Sequence, residues 1–212
     1  MKFLEANNIL FDSQHGFRQK RSTVTQLLST IYEISSSLNQ KKTSYLAILE
    51  VFTKAFDKVP HERLLSKLVH YGIDGIINNW FRSFLTLRVQ QTVCDGISSS
   101  TLLVTFGVPQ GTVLDPFLFL LYVNELTDNH VCSARLFADD CLLYIPVTTT
   151  DDMNKLQSDL WKFEHWQNTW HTFSFGSVKR TPKTSCISLL LDLSLHMPLR
   201  YGTLISNVIS RN

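Results

Sequence analysis

Apolar residues recur along the chain with two periods, and those periods predict its elements. Val24, Leu27, Leu28, Ile31, Ile34 and Leu38 fall at three- and four-residue steps, which predicts an amphipathic helix over residues 24–38, capped by Ser22 or Thr23. Tyr45, Leu46, Ala47, Ile48 and Leu49 form a nearly continuous apolar run, the pattern of a strand covered on both faces, ending near residue 52. After Pro60, Leu64, Leu65, Leu68 and Val69 line one helical face, with His61, Glu62, Arg63 and Lys67 outside and Gly72 as the stop. A second helix is expected over about residues 76–85, with Trp80 and Phe84 in its core face. Residues 88–93 alternate and pair with residues 102–106, with Asp95-Gly96 as the turn. Pro116 opens an apolar helix over residues 117–126. Residues 134–137 and 141–145 read as short buried strands that bring Asp139 and Asp140 to the tip of a tight hairpin. Thr150 caps a last helix with Asp151 and Asp152 in its first turn and a stripe of Met153, Leu156, Leu160, Phe163, Trp166 and Trp170.

Composition narrows the class. A chain of 212 residues with 44% hydrophobic and 18% charged residues can bury a core and is globular rather than disordered. The net charge of +2 excludes a general polycation, so nucleic-acid binding would rest on local basic patches. The cysteines at 94, 132, 141 and 186 show neither zinc spacing nor a disulfide framework, which favours a reducing compartment. The N-terminus turns polar after four residues, unlike a signal peptide, and the longest apolar run, 117–123, is far short of the roughly 20 residues of a membrane span. An intracellular setting, cytoplasm or nucleus, and no membrane partner are expected.

The candidate chemistry centres on Asp139 and Asp140. Phe137, Ala138, Leu142 and Leu143 draw this acidic pair toward a core, where two like charges are costly unless a cation neutralises them. Magnesium or manganese, which prefer carboxylate oxygens, suit that role.

Phe137-Ala138-Asp139-Asp140 resembles the Phe-Ala-Asp-Asp core of reverse transcriptases. Three upstream blocks stand in that family's order: Gln14-His15-Gly16-Phe17-Arg18 with Arg21-Ser22-Thr23, then Lys54-Ala55-Phe56-Asp57-Lys58-Val59-Pro60-His61, then Gly107-Val108-Pro109-Gln110-Gly111. The flavour is that of non-LTR, LINE-like retrotransposons, over roughly residues 8–180. The resemblance implies an α+β fold: a palm, meaning an antiparallel sheet backed by helices, with part of the fingers and no recognisable thumb. Residues 1–44 would be partial fingers, 45–180 the palm with a fingers-like insertion at about 60–106, and 181–212 a divergent tail. It also implies RNA-templated DNA synthesis by two-metal nucleotidyl transfer, with Mg²⁺ or Mn²⁺, an RNA template, a DNA primer and deoxynucleoside triphosphates.

Residue roles follow from the resemblance. Asp139 and Asp140 are the catalytic, metal-binding carboxylates. Phe56, Gln110, Gly111 and Lys179 are nucleotide-binding candidates. Arg18 and Arg21 are candidates for phosphate contact, since guanidinium forks suit phosphate oxygens. With Lys41 and Lys42 they would supply a salt-dependent affinity for nucleic acid.

One position departs from the family in a way that matters for chemistry. Five residues before Phe56 the family has its first metal-binding aspartate; here Val51 stands there. Glu50 is a poor substitute, because successive strand residues point to opposite faces. Asp57 lies past the strand. Asp115 stands where the LINE-like pattern has glycine, a second and milder lesion. The expectation is a weak or inactive copy, with weakly bound metal; the alternative is a non-catalytic nucleic-acid- or protein-binding relic of such a polymerase.

Overall fold

A computed structural model describes residues 1–39, 43–50, 54–170 and 179–180. In chain order the elements are α1 (Lys2–Ala6), α2 (Thr23–Asn39), β1 (Thr43–Glu50), α3 (His61–His70), α4 (Gly75–Leu85), β2 (Val89–Gln90), β3 (Val93–Cys94), β4 (Ile97–Ser98), β5 (Leu102–Leu103), α5 (Leu114–Val123), β6 (Ser133–Phe137), β7 (Asp140–Val147), α6 (Thr150–Trp170) and β8 (Lys179–Arg180). Short 3₁₀ turns cover Phe56–Lys58 and Asn124–Thr127. The chain divides into two compact units.

Among the described residues, one unit holds 12–39, 43–50, 129–162 and 179–180. Its centre is a four-stranded sheet in the order β6-β7-β1-β8, with every neighbouring pair antiparallel. β7 is apolar along almost its whole length, and Cys141, Leu142, Leu143, Tyr144 and Ile145 are buried, as expected of an inner strand covered on both faces. The predicted run at 45–49 is β1, paired along its full length with β7. α2 packs against β1 and β6. Ser22 and Thr25 cap it reciprocally: the Thr25 amide donates to the Ser22 hydroxyl at 3.2 Å and the Ser22 amide to the Thr25 hydroxyl at 2.9 Å. From α2, Glu33 bonds both Arg135 on β6 and the Tyr144 hydroxyl on β7. Ile34 is buried as predicted, but Val24 and Leu28, predicted on the same inner face, are exposed, and Gln26 and Thr30 are buried instead.

Among the described residues, the other unit holds 1–11, 54–128 and 163–170. α5 is apolar on all sides, and residues 118–123 are buried, which makes it a central core helix. It begins at Leu114, before Pro116, because proline is tolerated in a first turn where no amide donor is needed. α3 ends at Gly72, whose φ of +77° suits only glycine well; the Ile73 amide returns to Leu68 O at 2.8 Å. Two predicted outer residues of α3 are buried. The His61 ring Nε2–H donates to Gly107 O at 2.9 Å. Lys67 donates to Tyr122 O at 2.7 Å, pairs with Glu125 at 3.1 Å and lies over the Trp170 ring at 4.1 Å. A long aliphatic stem and three donors let it fill core space that periodicity assigns to solvent. Val69, predicted inside, is exposed, as is Trp80, which stacks on Phe84 one turn along α4 at 5.6 Å. The predicted 88–106 hairpin forms as two short ladders: β2 with β5, and β3 with β4 across the Asp95-Gly96 turn.

Candidate functional sites and the family

The acidic pair does not sit together at a tip. Phe137 and Asp140 are register partners, so Ala138 and Asp139 make the two-residue loop and Asp140 already belongs to β7. Ala138 has φ +56°, while Asp139 has no positive φ. That is the φ pattern of a II′ turn, whose first position ordinarily takes glycine. Asp140 lies opposite Glu50, the last described residue of β1. β1, which ends before the Lys54–His61 block, therefore does run beside the acidic turn; Val51 itself, with Lys41 and Lys42, lies outside the described residues. Burial raises the pKa of Asp139, with its own backbone amide opposing the shift. The expected cause was repulsion from Asp140; desolvation is the dominant one. Among the described residues no three His, Cys, Asp or Glu side chains form a metal-binding group. Asp139 and Asp140 thus offer two carboxylates of the right donor type for a hard cation, one of them partly desolvated.

A feature absent from the expected site residues holds this turn. Residues 13–16 run alongside β6: the Leu136 amide donates to Ser13 O at 2.8 Å and the His15 amide to Leu136 O at 2.7 Å. From this strap the Gln14 amide group, 3% exposed, reaches the turn. Its Oε1 accepts from the Ala138 amide at 3.0 Å and the Gly16 amide at 2.8 Å, and its Nε2 donates to Ala138 O at 3.2 Å. Gly16 lies so close that an added Cβ would meet Ala138 N at 2.3 Å. The sequence shows Gln14 and Gly16 inside a family block, but only the fold shows what they touch.

In the other unit, the Phe56–Val59 turn and the Gly107–Gly111 loop are bonded together. The Gly107 amide donates to Val59 O and the Val108 amide to Phe56 O, both at 2.8 Å, and Gln110 Nε2 donates to Asp57 Oδ1 at 2.8 Å. The backbone comes close to protein at Gly107: a Cβ there would meet the Asp57 backbone at 2.8 Å. Gly111 has φ +82°, and a Cβ there would meet nothing within 4 Å. Phe56 stacks on buried Phe119 with ring centroids 4.2 Å apart. Asp57, committed to Gln110, stands past β1 as expected. Asp115 is buried in the first turn of α5; burial raises its pKa, opposed by the Gly111 backbone, and its Oδ1 lacks a hydrogen-bond partner.

Arg18 and Arg21 both face Asp12. Arg21 Nη2 bonds its carboxylate at 2.6 Å and Arg18 Nη1 lies 3.9 Å from it, with the Arg18 side chain only 8% exposed. A phosphate would have to compete with Asp12 for either. Lys179 is the register partner of Ile48 at the sheet edge.

An antiparallel sheet carrying an Ala-Asp turn beside β1 is the core of a polymerase palm. Residues 1–181 match the model of the reverse transcriptase (RNA-dependent DNA polymerase) family, and the chain belongs to that family. It is 28% identical over 177 residues to a probable RNA-directed DNA polymerase from transposon X-element of Drosophila melanogaster, covering 81% of this chain and 19% of that protein. A Pol polyprotein from the type-1 retrotransposable element R2 of Popillia japonica is 34% identical over 139 residues, covering 63% of this chain and 18% of that protein. The chain thus spans about a fifth of the length of these relatives. Among solved structures, apo telomerase from Candida tropicalis, truncated from its C-terminal domain, matches 87% of this chain and 40% of its own with a TM-score of 0.59 and 12% identity, a likeness of fold. No helix among the described residues is long and apolar enough to cross a membrane.

Proposed function

We propose that this chain is the polymerase domain of a non-LTR retrotransposon reverse transcriptase whose capacity for RNA-templated DNA synthesis is lost or nearly so. The observation that carries the reading is the Ala138-Asp139 turn with Asp140 opposite Glu50, in a chain whose matching block has Val51 where an aspartate is required. Asp139 and Asp140 hold Mg²⁺ or Mn²⁺ through their carboxylate oxygens, and weakly, because an isopropyl group at position 51 offers no oxygen to a hard cation. When bound, divalent ions supply neutralisation of charge at the reacting phosphorus and at the primer hydroxyl. Phe56, Gln110 and Gly111 meet the incoming nucleotide, with Gln110 oriented by Asp57. Arg18 and Arg21 meet phosphate in exchange for Asp12. Lys179 stays a minor candidate for the triphosphate. An RNA template, a DNA primer and an intracellular setting follow from the same reading.

Primer extension on an RNA template, run for this chain beside Val51→Asp, tests it. Loss of one metal-binding carboxylate costs several kcal/mol in phosphoryl transfer, so the unmodified chain is expected to extend about 10³-fold more slowly than an intact enzyme, or not at all. Val51→Asp recovers synthesis in part, since Asp115 remains. Robust magnesium-dependent extension by the unmodified chain overturns the reading. Nucleic-acid binding without extension in both proteins would favour a binding relic.

A further inference from the structure

We propose that Gln14 is a positioning residue for the metal-binding turn: its side-chain amide clamps Ala138 in a backbone conformation that alanine disfavours and so fixes where the Asp139 carboxylate sits. The inference rests on the assignment of Asp139 and Asp140 to metal binding.

At φ +56° the Cβ of Ala138 crowds its own backbone, a strain that glycine would avoid. Such a turn persists only where its surroundings over-determine it. Here Gln14 bonds both backbone groups of Ala138, accepting from the amide and donating to the carbonyl, as a paired strand residue would. The third bond, from the Gly16 amide, ties the clamp's own oxygen to the strap. Gly16 presses against Ala138 N from the same side, leaving the turn no room to relax toward the strap. All of this is buried, where an unmade hydrogen bond is costly, so the clamp is held as firmly as it holds. No group of the clamp is a metal donor in this arrangement, since both polar atoms of Gln14 are already engaged with backbone. Its role is to hold Asp139, as partners behind metal ligands commonly do.

Two measurements separate this role from simple core packing. Amide hydrogen exchange reads the turn itself, and electron paramagnetic resonance titration of free Mn²⁺ reads the carboxylates. In Gln14→Met, which keeps the length of the side chain, the Ala138 amide is expected to exchange about tenfold faster or more, and Mn²⁺ affinity to fall about tenfold. Amides of β1 and β7 keep their protection. Adding Ala138→Gly to Gln14→Met is expected to recover most of the Mn²⁺ affinity, because glycine accepts the positive φ unaided. Gln14→Asn keeps an uncharged amide but is one methylene too short to make both bonds to Ala138, so it falls between the wild type and Gln14→Met; it carries the test if the methionine variant does not fold. Unchanged Ala138 exchange in Gln14→Met, or loss of Mn²⁺ affinity that Ala138→Gly does not recover, overturns the positioning role. If the wild-type chain binds no Mn²⁺ that Asp139→Asn removes, the metal assignment fails instead, and the exchange data still decide whether Gln14 clamps the turn.

Discussion

Two hairpins in this chain are closed by two-residue loops, and they are stabilised in opposite ways. Asp95-Gly96 closes β3 and β4 with positive φ at both positions, +49° and +78°, residues suited to that geometry by their own chemistry. Its flanks are exposed, with Val93 at 61% and Ile97 at 76%. Ala138-Asp139 closes β6 and β7 with alanine in a glycine position, inside buried strands. The first turn needs nothing beyond itself. The second is held by residues more than 120 positions away, through the Gln14 bonds and the Gly16 contact. The buried turn with the acidic pair is thus held by its surroundings, while the exposed turn is held by its sequence.

The same substitution at the two glycines breaks this comparison most directly. Gly16→Ala drives a methyl into the Ala138 backbone, which cannot move aside as a flexible side chain could. A loss of about 3 kcal/mol is expected by chemical denaturation. Gly96→Ala meets no atom within 4 Å and suffers only the strain of its φ, so about 1 kcal/mol is expected. Equal losses would show that the turns are held alike. A smaller effect comes from pH. His15, in the strap, has its pKa lowered to about 4, first by burial and then by Arg21, Arg135 and Arg18. Its folded-state pKa is below the unfolded 6.5, so the unfolded chain gains the proton first as pH falls. The corresponding stability is present above pH 6.5 and is lost on the way down to about 4. In His15→Gln the denaturation midpoint should vary less between those pH values; an unchanged slope would place the titration elsewhere.

This contrast also explains what the chain alone could reveal. The Asp-Gly turn, β1, α4, α5 and the stop at Gly72 follow from local pattern and turn chemistry, and they were legible. The acidic loop was placed one residue too late, because nothing in Phe137-Ala138-Asp139-Asp140 announces that Ala138 bends and Asp140 pairs. Lys67 was assigned to solvent by charge, although Glu125, Tyr122 and Trp170 receive it in the core. Gln14 and Gly107 were visible as members of blocks, but their partners, Ala138 and Asp57, are set by tertiary contact. Family pattern picked out these blocks, and packing decided what their residues touch.

The most direct test of the central claim is calorimetric titration of Mg²⁺ into the wild-type chain, Val51→Asp, and Val51→Asp combined with Asp139→Asn. The account predicts weak binding by the wild type, a gain of about tenfold or more in Val51→Asp, and loss of that gain when Asp139→Asn is added. Binding by the wild type as tight as by Val51→Asp, or a gain that survives Asp139→Asn, would contradict it.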